Sequence, residues 1–96
     1  MSLRRFANRR DANEGEIVRA LEAIGCTVHR MNDWDLVVGY RQRNVILEVK
    51  DGSKPASARK LTPNQMIFQA GWRGQYDVVT SVDEAIAAVQ RHTLGR

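Results

Sequence analysis

Along this chain the spacing of apolar positions changes period several times, and each change marks an element. Ile17, Val18, Leu21 and Ile24 recur at helical spacing and predict a helix over 13–24. Asp11 and Asn13 suit its N-cap. Glu14 or Glu16 follows one of them by three residues, as a capping box requires, and Gly25 supplies the stop. Residues 26–31 alternate instead, with Cys26 and Val28 on one face and Thr27 and His29 on the other. This predicts a strand closed by the turn formers Asn32 and Asp33. Two β-branched runs follow, Leu36-Val37-Val38 and Val45-Ile46-Leu47. Gly39 and a polar segment between them make the pair read as a hairpin. Residues 51–59 hold Gly52, Ser53, Pro55, Ala56 and Ser57 and form a loop. Thr62 then caps a second helix, with Pro63 first, Gln65 at the capping-box position, Met66, Ile67 and Ala70 as its apolar face, and Gly71 as its end. Residues 76–80 predict a fourth strand. Ser81 and Glu84 open a third helix with Val82, Ala85, Ile86 and Val89 as its buried stripe. The order is α-β-β-β-α-β-α, an α/β domain with a four-stranded sheet and no internal repeat.

The hairpin carries an anomaly. Asp35, Glu48 and Lys50 interrupt strands that otherwise read as buried. With Gln42 and Arg43 as the turn, Asp35 falls opposite Lys50 and Val37 opposite Glu48, and all three charges share one face. Opposed Cβ atoms lie roughly 5 Å apart and diagonal ones about 7 Å, so Asp35 and Glu48 can reach one cation with Lys50 beside it. A change of one residue in loop length would move Asp35 to the other face.

Composition narrows the setting. At 96 residues the chain holds one core, and a hydrophobic fraction of 43% is that of a folded domain rather than a disordered one. No apolar run approaches the roughly 20 residues of a membrane span. No apolar stretch follows the basic N-terminus, so no secretory signal is expected. Cys26, alone, forms no internal disulfide and reads as a core thiol. These features point to an intracellular protein. The net charge of +4 is clustered: Arg4, Arg5, Arg9 and Arg10 stud a flexible arm over 1–10, ahead of the single domain over 11–94, while Lys54, Arg59 and Lys60 stud the later loop. Such clusters suit a phosphate backbone, and Arg9, Arg10, Lys54, Arg59 and Lys60 are the candidate nucleic-acid contacts.

An aspartate and an E-x-K on adjacent strand ends match the needs of Mg²⁺-dependent phosphodiester cleavage. Hard cations take oxygen ligands: two carboxylates, Asp35 and Glu48, and the backbone carbonyl of Val49 as a third. The ion polarises a phosphate oxygen, and Lys50 is placed to orient a water or offset charge on the reacting phosphate. The plain alternative is an Asp35–Lys50 cross-strand ion pair. Glu14 can supply a further carboxylate to the metal or its water, or be a cap residue three after Asp11, with Glu16 competing for either role. Gln65 can likewise serve the capping box or touch the site, and spacing favours the cap. His29 and His92 lack metal-ligand spacing, and Trp34 and Trp72 read as packing residues rather than base-stacking platforms.

With these residues in place, the chain resembles the VRR-NUC-type nucleases of the PD-(D/E)xK superfamily, found in phage and bacterial replication and repair proteins. The likeness covers about 10–89. It rests on Asp11-Ala-Asn-Glu14, Asp35-Leu-Val-Val-Gly, Leu47-Glu48-Val-Lys50 and Leu61-Thr-Pro-Asn-Gln65. It implies a restriction-endonuclease-like core, αβββαβ with an added C-terminal helix and a mixed sheet. It also implies metal ligation by Asp35 and Glu48, an accessory acid in Glu14, Lys50 beside the attacking water and Gln65 near the site. The expected activity is a Mg²⁺- or Mn²⁺-dependent DNA endonuclease, selective for junctions or branches, cytoplasmic in a bacterial or phage-infected cell. A silent nucleic-acid-binding module of the same fold and an RNA nuclease are the alternatives. The family's Pro before the aspartate is Trp34 here, which alters the turn and not the ligand set. Stand-alone members of this size resemble Holliday-junction resolvases, so a homodimer is expected.

Overall fold

The computed structural model describes residues 12–32 and 34–94, the Leu94 side chain excepted. Arg9, Arg10 and Asp11 lie outside the described residues. Helix α1 spans Glu14–Ala23 and strand β1 Thr27–Arg30; strands β2, Leu36–Tyr40, and β3, Arg43–Val49, form the hairpin. A 3₁₀ turn at Ala56–Arg59 precedes helix α2, Pro63–Gly71, then strand β4, Tyr76–Val79, and helix α3, Val82–Leu94. The order is the one the periodicity predicts, and the sheet is mixed. β1, β2 and β3 run antiparallel in sequence order, and β4 joins β3 in parallel. A parallel partner needs a crossover, which the segment containing α2 supplies.

Side-chain alternation divides the sheet into two faces. Leu36, Val38, Val45, Leu47, Val49 and Val79 point to the face covered by α1 and α3, where they meet Ile17, Leu21, Ala85, Ala88 and Val89. Glu48, Tyr76 and Val37 point to the opposite face, over which α2 lies. β3 is buried from Val45 to Val49 on both faces, as befits the strand at the centre of the hydrophobic runs.

The hairpin turn is Arg41–Gln42, one residue earlier than expected, with both residues at positive φ, 52° and 66°. That is a type I′ geometry, whose twist matches that of the flanking strands. Sliding a two-residue turn by one position changes the pairing by two, so every side chain keeps its face. Leu36 therefore pairs with Leu47, and continuing the ladder sets Asp35 opposite Glu48 rather than Lys50. Arg41 and Gln42 are poor residues for this turn because a Cβ disfavours the left-handed region. Arg41 also stacks over Tyr40, 5.4 Å from the ring centroid. Gln42→Gly, which leaves that contact in place, is expected to stabilise the protein by about 1 kcal/mol and raise Tm by roughly 4–8 °C in a scanning melt. An unchanged or lower Tm would show that the turn carries no such strain.

Helix ends depart from the sequence reading in physical detail. Gly25 sits at φ +102°, as the stop after α1 requires. At the other end Asn13 makes no side-chain cap. Its Nδ2 instead donates to the carbonyls of Lys50 (3.1 Å) and Thr80 (3.0 Å), tying α1 to the ends of β3 and β4. Glu14 is then the first helical residue, not the third after a cap. The α2 capping box forms as predicted, with Gln65 N donating to Thr62 Oγ1 and Thr62 N to Gln65 Oε1. At α3, Ser81 caps Glu84 N, but the Glu84 carboxylate reaches back to Thr80 instead of Ser81.

The orientation of α2 corrects another expectation. Met66 and Ile67 are 55% and 72% exposed, and Ala70 is exposed too. Gln65 and Phe68 face inward instead. Phe68 stacks on Trp34 at 4.8 Å and on Trp72 at 5.2 Å, and meets Tyr76 at 5.5 Å. One aromatic cluster and one polar contact outweigh the smaller apolar stripe in setting how the helix lies.

Candidate functional site

Of the residues predicted for the site, Asp35, Glu48, Lys50 and Gln65 come together at the end of the hairpin beyond β2. There the chain stops pairing as a strand, and the Asp35 carboxylate takes over the ladder. Its Oδ2 accepts the Val49 N–H at 2.7 Å. The N–H and C=O of one strand residue point to the same side, so the Val49 carbonyl faces the same gap as Asp35. The turn into this position is closed by Met31 N donating to the Asp35 carbonyl, 3.1 Å. Trp34 stacks on Phe68 and anchors that turn under α2.

Glu48 is 2% exposed. A carboxylate taken that far from water needs partners, and one is Gln65, whose Nε2 donates to Glu48 Oε2 at 2.5 Å. The same side chain accepts the Lys50 ammonium on Oε1, 2.9 Å away. Gln65 thus fills both roles its spacing left open: it completes the α2 cap and joins Glu48 to Lys50. Lys50 goes to Gln65 and not to Asp35, so the cross-strand ion pair does not form. The shifted register explains this, because Lys50 no longer stands opposite Asp35.

Glu14 is also 2% exposed, and its Oε2 meets Arg30 Nε at 3.0 Å. Arg30 pairs with Leu36 in the sheet and therefore projects to the α1 side. Glu14 is thus engaged on the α1 face, whereas Glu48 lies on the face under α2. Glu16 is exposed and takes no part. In the basic loop Lys54 and Lys60 are exposed, and Arg59 is half-buried with its Nε unpaired. His92 Nε2 lies 3.2 Å from Asp77, beside Arg91, as a contact between α3 and β4, and His29 is exposed.

Tyr76 was not singled out from the sequence. The parallel register places it on the Glu48 side of the sheet. Its hydroxyl is pushed up to about 12, first by burial and then by the negative charge of Glu48, Asp35 and Asp77. Only the β3–β4 register could have revealed it, and that depends on how the crossover lands.

Whether the set suits a divalent cation is a matter of donor chemistry. Asp35, Glu48 and the Val49 carbonyl all lie at the end of β3, and a hard ion such as Mg²⁺ binds through one or two carboxylates while keeping several waters. The donors present fit that pattern. Among the described residues, no group of three or more His, Cys, Asp or Glu side chains gathers in metal-holding range. A separate hollow of about 390 Å³, lined by Asn13, Glu16, Asp51, Ser53 and Thr80 among others, includes neither Asp35 nor Glu48. Among the described residues no helix is long and apolar enough to cross a membrane. Compared with known protein families, with curated proteins and with solved structures, the chain matches none.

Proposed function

We propose that the protein is a divalent-metal-dependent DNA endonuclease, a VRR-NUC-type member of the PD-(D/E)xK nucleases built on a restriction-endonuclease-like core. One observation carries the reading: Asp35 bonds the Val49 N–H next to Glu48 at one strand end, and Gln65 links Glu48 to Lys50. A bound Mg²⁺ or Mn²⁺ would supply Lewis-acid polarisation of a phosphate oxygen and a more acidic water. Asp35, Glu48 and the Val49 carbonyl would hold it. Lys50, kept beside Glu48 by Gln65, orients the attacking water and offsets charge building on the phosphate. Glu14, held by Arg30, contributes at most an accessory acid through water. Incubating the protein with a four-way junction, a flap, a linear duplex and RNA, each with Mn²⁺ or EDTA, tests the reading. Mn²⁺-dependent cuts in branched DNA are expected, and cleavage of RNA alone would reassign the substrate. The second reading, a silent binding module, is favoured by the lack, among the described residues, of a third acidic or imidazole side chain grouped with Asp35 and Glu48. It would give binding without cuts.

Lys54 and Lys60, exposed in the basic loop between β3 and α2, are the described residues proposed to contact phosphate. Replacing both with Ala is expected to weaken DNA binding and to lower the slope of log K against log salt by about 1–2, leaving cleavage at saturating DNA intact. An unchanged slope would mean that neither touches phosphate.

A homodimer fits the outward face of α2. Pro63, Met66, Ile67 and Ala70 are exposed there, and the helix carries no charged residue. On a chain of net charge +4 this is a surface where two copies can meet with little repulsion. Sedimentation is expected to give twice the protomer's 10.9 kDa, and Ile67→Glu to give the protomer mass. A wild-type protomer at micromolar concentration would rule out the dimer.

A further inference from the structure

Tyr76 has no role in the chemistry above, yet it lies on the face where that chemistry would occur. It opens β4 beside Ile46, two residues along from the position beside Glu48. Its ring is seated against Phe68. Its hydroxyl is buried and has no hydrogen-bond partner among the described residues. Buried phenol oxygens normally find one, because an unmet polar group inside a protein is costly. The charges of Glu48 and Asp35 reach this oxygen, and no hydrogen bond joins it to either carboxylate. A buried phenol oxygen that lies on the face of Glu48 and bonds neither carboxylate can be met by a bridging water.

We propose that Tyr76 is a positioning residue of the acidic site, its hydroxyl oxygen accepting a hydrogen bond from a water in the shell of a divalent cation held by Asp35 and Glu48. The inference rests on the metal-site reading above. Water next to a cation is a stronger donor than bulk water, and a phenol oxygen accepts readily. Fixing that water would hold it as a ligand and strengthen binding of the cation, as groups behind a metal's ligands generally do.

The test is Tyr76→Phe in the full chain, with Mn²⁺ alone as the probe. Phe keeps the ring against Phe68 and removes only the hydroxyl. Calorimetry is expected to show Mn²⁺ binding roughly 10–100-fold weaker than wild type, the usual effect of losing such a group. The metal-free variant is expected to melt at or above the wild-type temperature, since an unpaired buried hydroxyl has gone. Adding Mn²⁺ is expected to perturb a tyrosine near-ultraviolet band in wild type and Tyr40→Phe, but not in Tyr76→Phe. Wild-type Mn²⁺ affinity in Tyr76→Phe would overturn this proposal and leave the metal site standing. Weaker binding together with a lower metal-free Tm would assign Tyr76 to packing and overturn it as well. No Mn²⁺ binding by wild type would sink both readings.

Discussion

Mg²⁺ is expected to raise the melting temperature of the wild-type protein and to leave Asp35→Asn almost unmoved, while the same substitution abolishes cleavage. The cation binds the folded site and not the unfolded chain, so it stabilises by RT ln(1 + [Mg²⁺]/Kd), about 2.7 kcal/mol at a hundred times Kd. For a domain of this size that is a shift of roughly 10–20 °C. The metal-free variant should be as stable as wild type or more so, for two reasons. An asparagine Oδ1 can still accept the Val49 N–H that Asp35 now takes at 2.7 Å. Its neutrality also removes like-charge repulsion with Glu48, the residue before the Val49 that Asp35 bonds. If Asp35 is only a strand-end cap, the pattern inverts. The neutral side chain would then weaken the metal-free protein by about 1 kcal/mol, and Mg²⁺ would move neither melt. Equal Mg²⁺ shifts for the two proteins would remove Asp35 from the site.

How far the site was legible in the chain depended on which interactions are local. Period and punctuation are local, so the seven elements and their order follow from apolar spacing, Gly25, Thr62-Pro63 and the residues around the hairpin. The face shared by Asp35, Glu48 and Lys50 was legible for a subtler reason. A two-residue turn can slide along the chain without changing which side any residue faces, and it did slide, to Arg41–Gln42. The exact opposition was not legible, because neither residue of the true turn is a Gly or Asn that would mark it. Gly39 and Asn44, which carry that signal, sit paired within the strands. The tilt of α2 was hidden because it depends on Phe68 meeting Trp34, Trp72 and Tyr76 from three separate segments. The ion pair of Glu14 with Arg30 was not legible either, because it exists only once β1 is paired and Arg30 projects to the α1 side. Each of these misses is a long-range partner choice that no window of residues contains.

Gln65 joins the local and the long-range, and its removal is expected to cost far more than a cap. Gln65→Ala deletes the acceptor for Thr62 N and, with it, the donor to Glu48 and the acceptor for Lys50. Thr62→Ala is the control, since it removes the hydroxyl that caps Gln65 N and touches nothing at Glu48. The control should lose about 1 kcal/mol, the usual worth of a helix cap. Gln65→Ala should lose roughly 2–4 kcal/mol, because a hydrogen bond to a charged group is worth about 1.5–3 kcal/mol and Glu48 stays buried without it. In melting temperature the gap between the two variants is on the order of 5–20 °C. Mg²⁺ should narrow that gap, since a cation gives the Glu48 carboxylate another partner. Cleavage should fall in Gln65→Ala and persist in Thr62→Ala, because only the first frees the Lys50 ammonium from its place beside Glu48. Matching losses in the two variants, unchanged by Mg²⁺, would confine Gln65 to the cap and leave Lys50 without a holder.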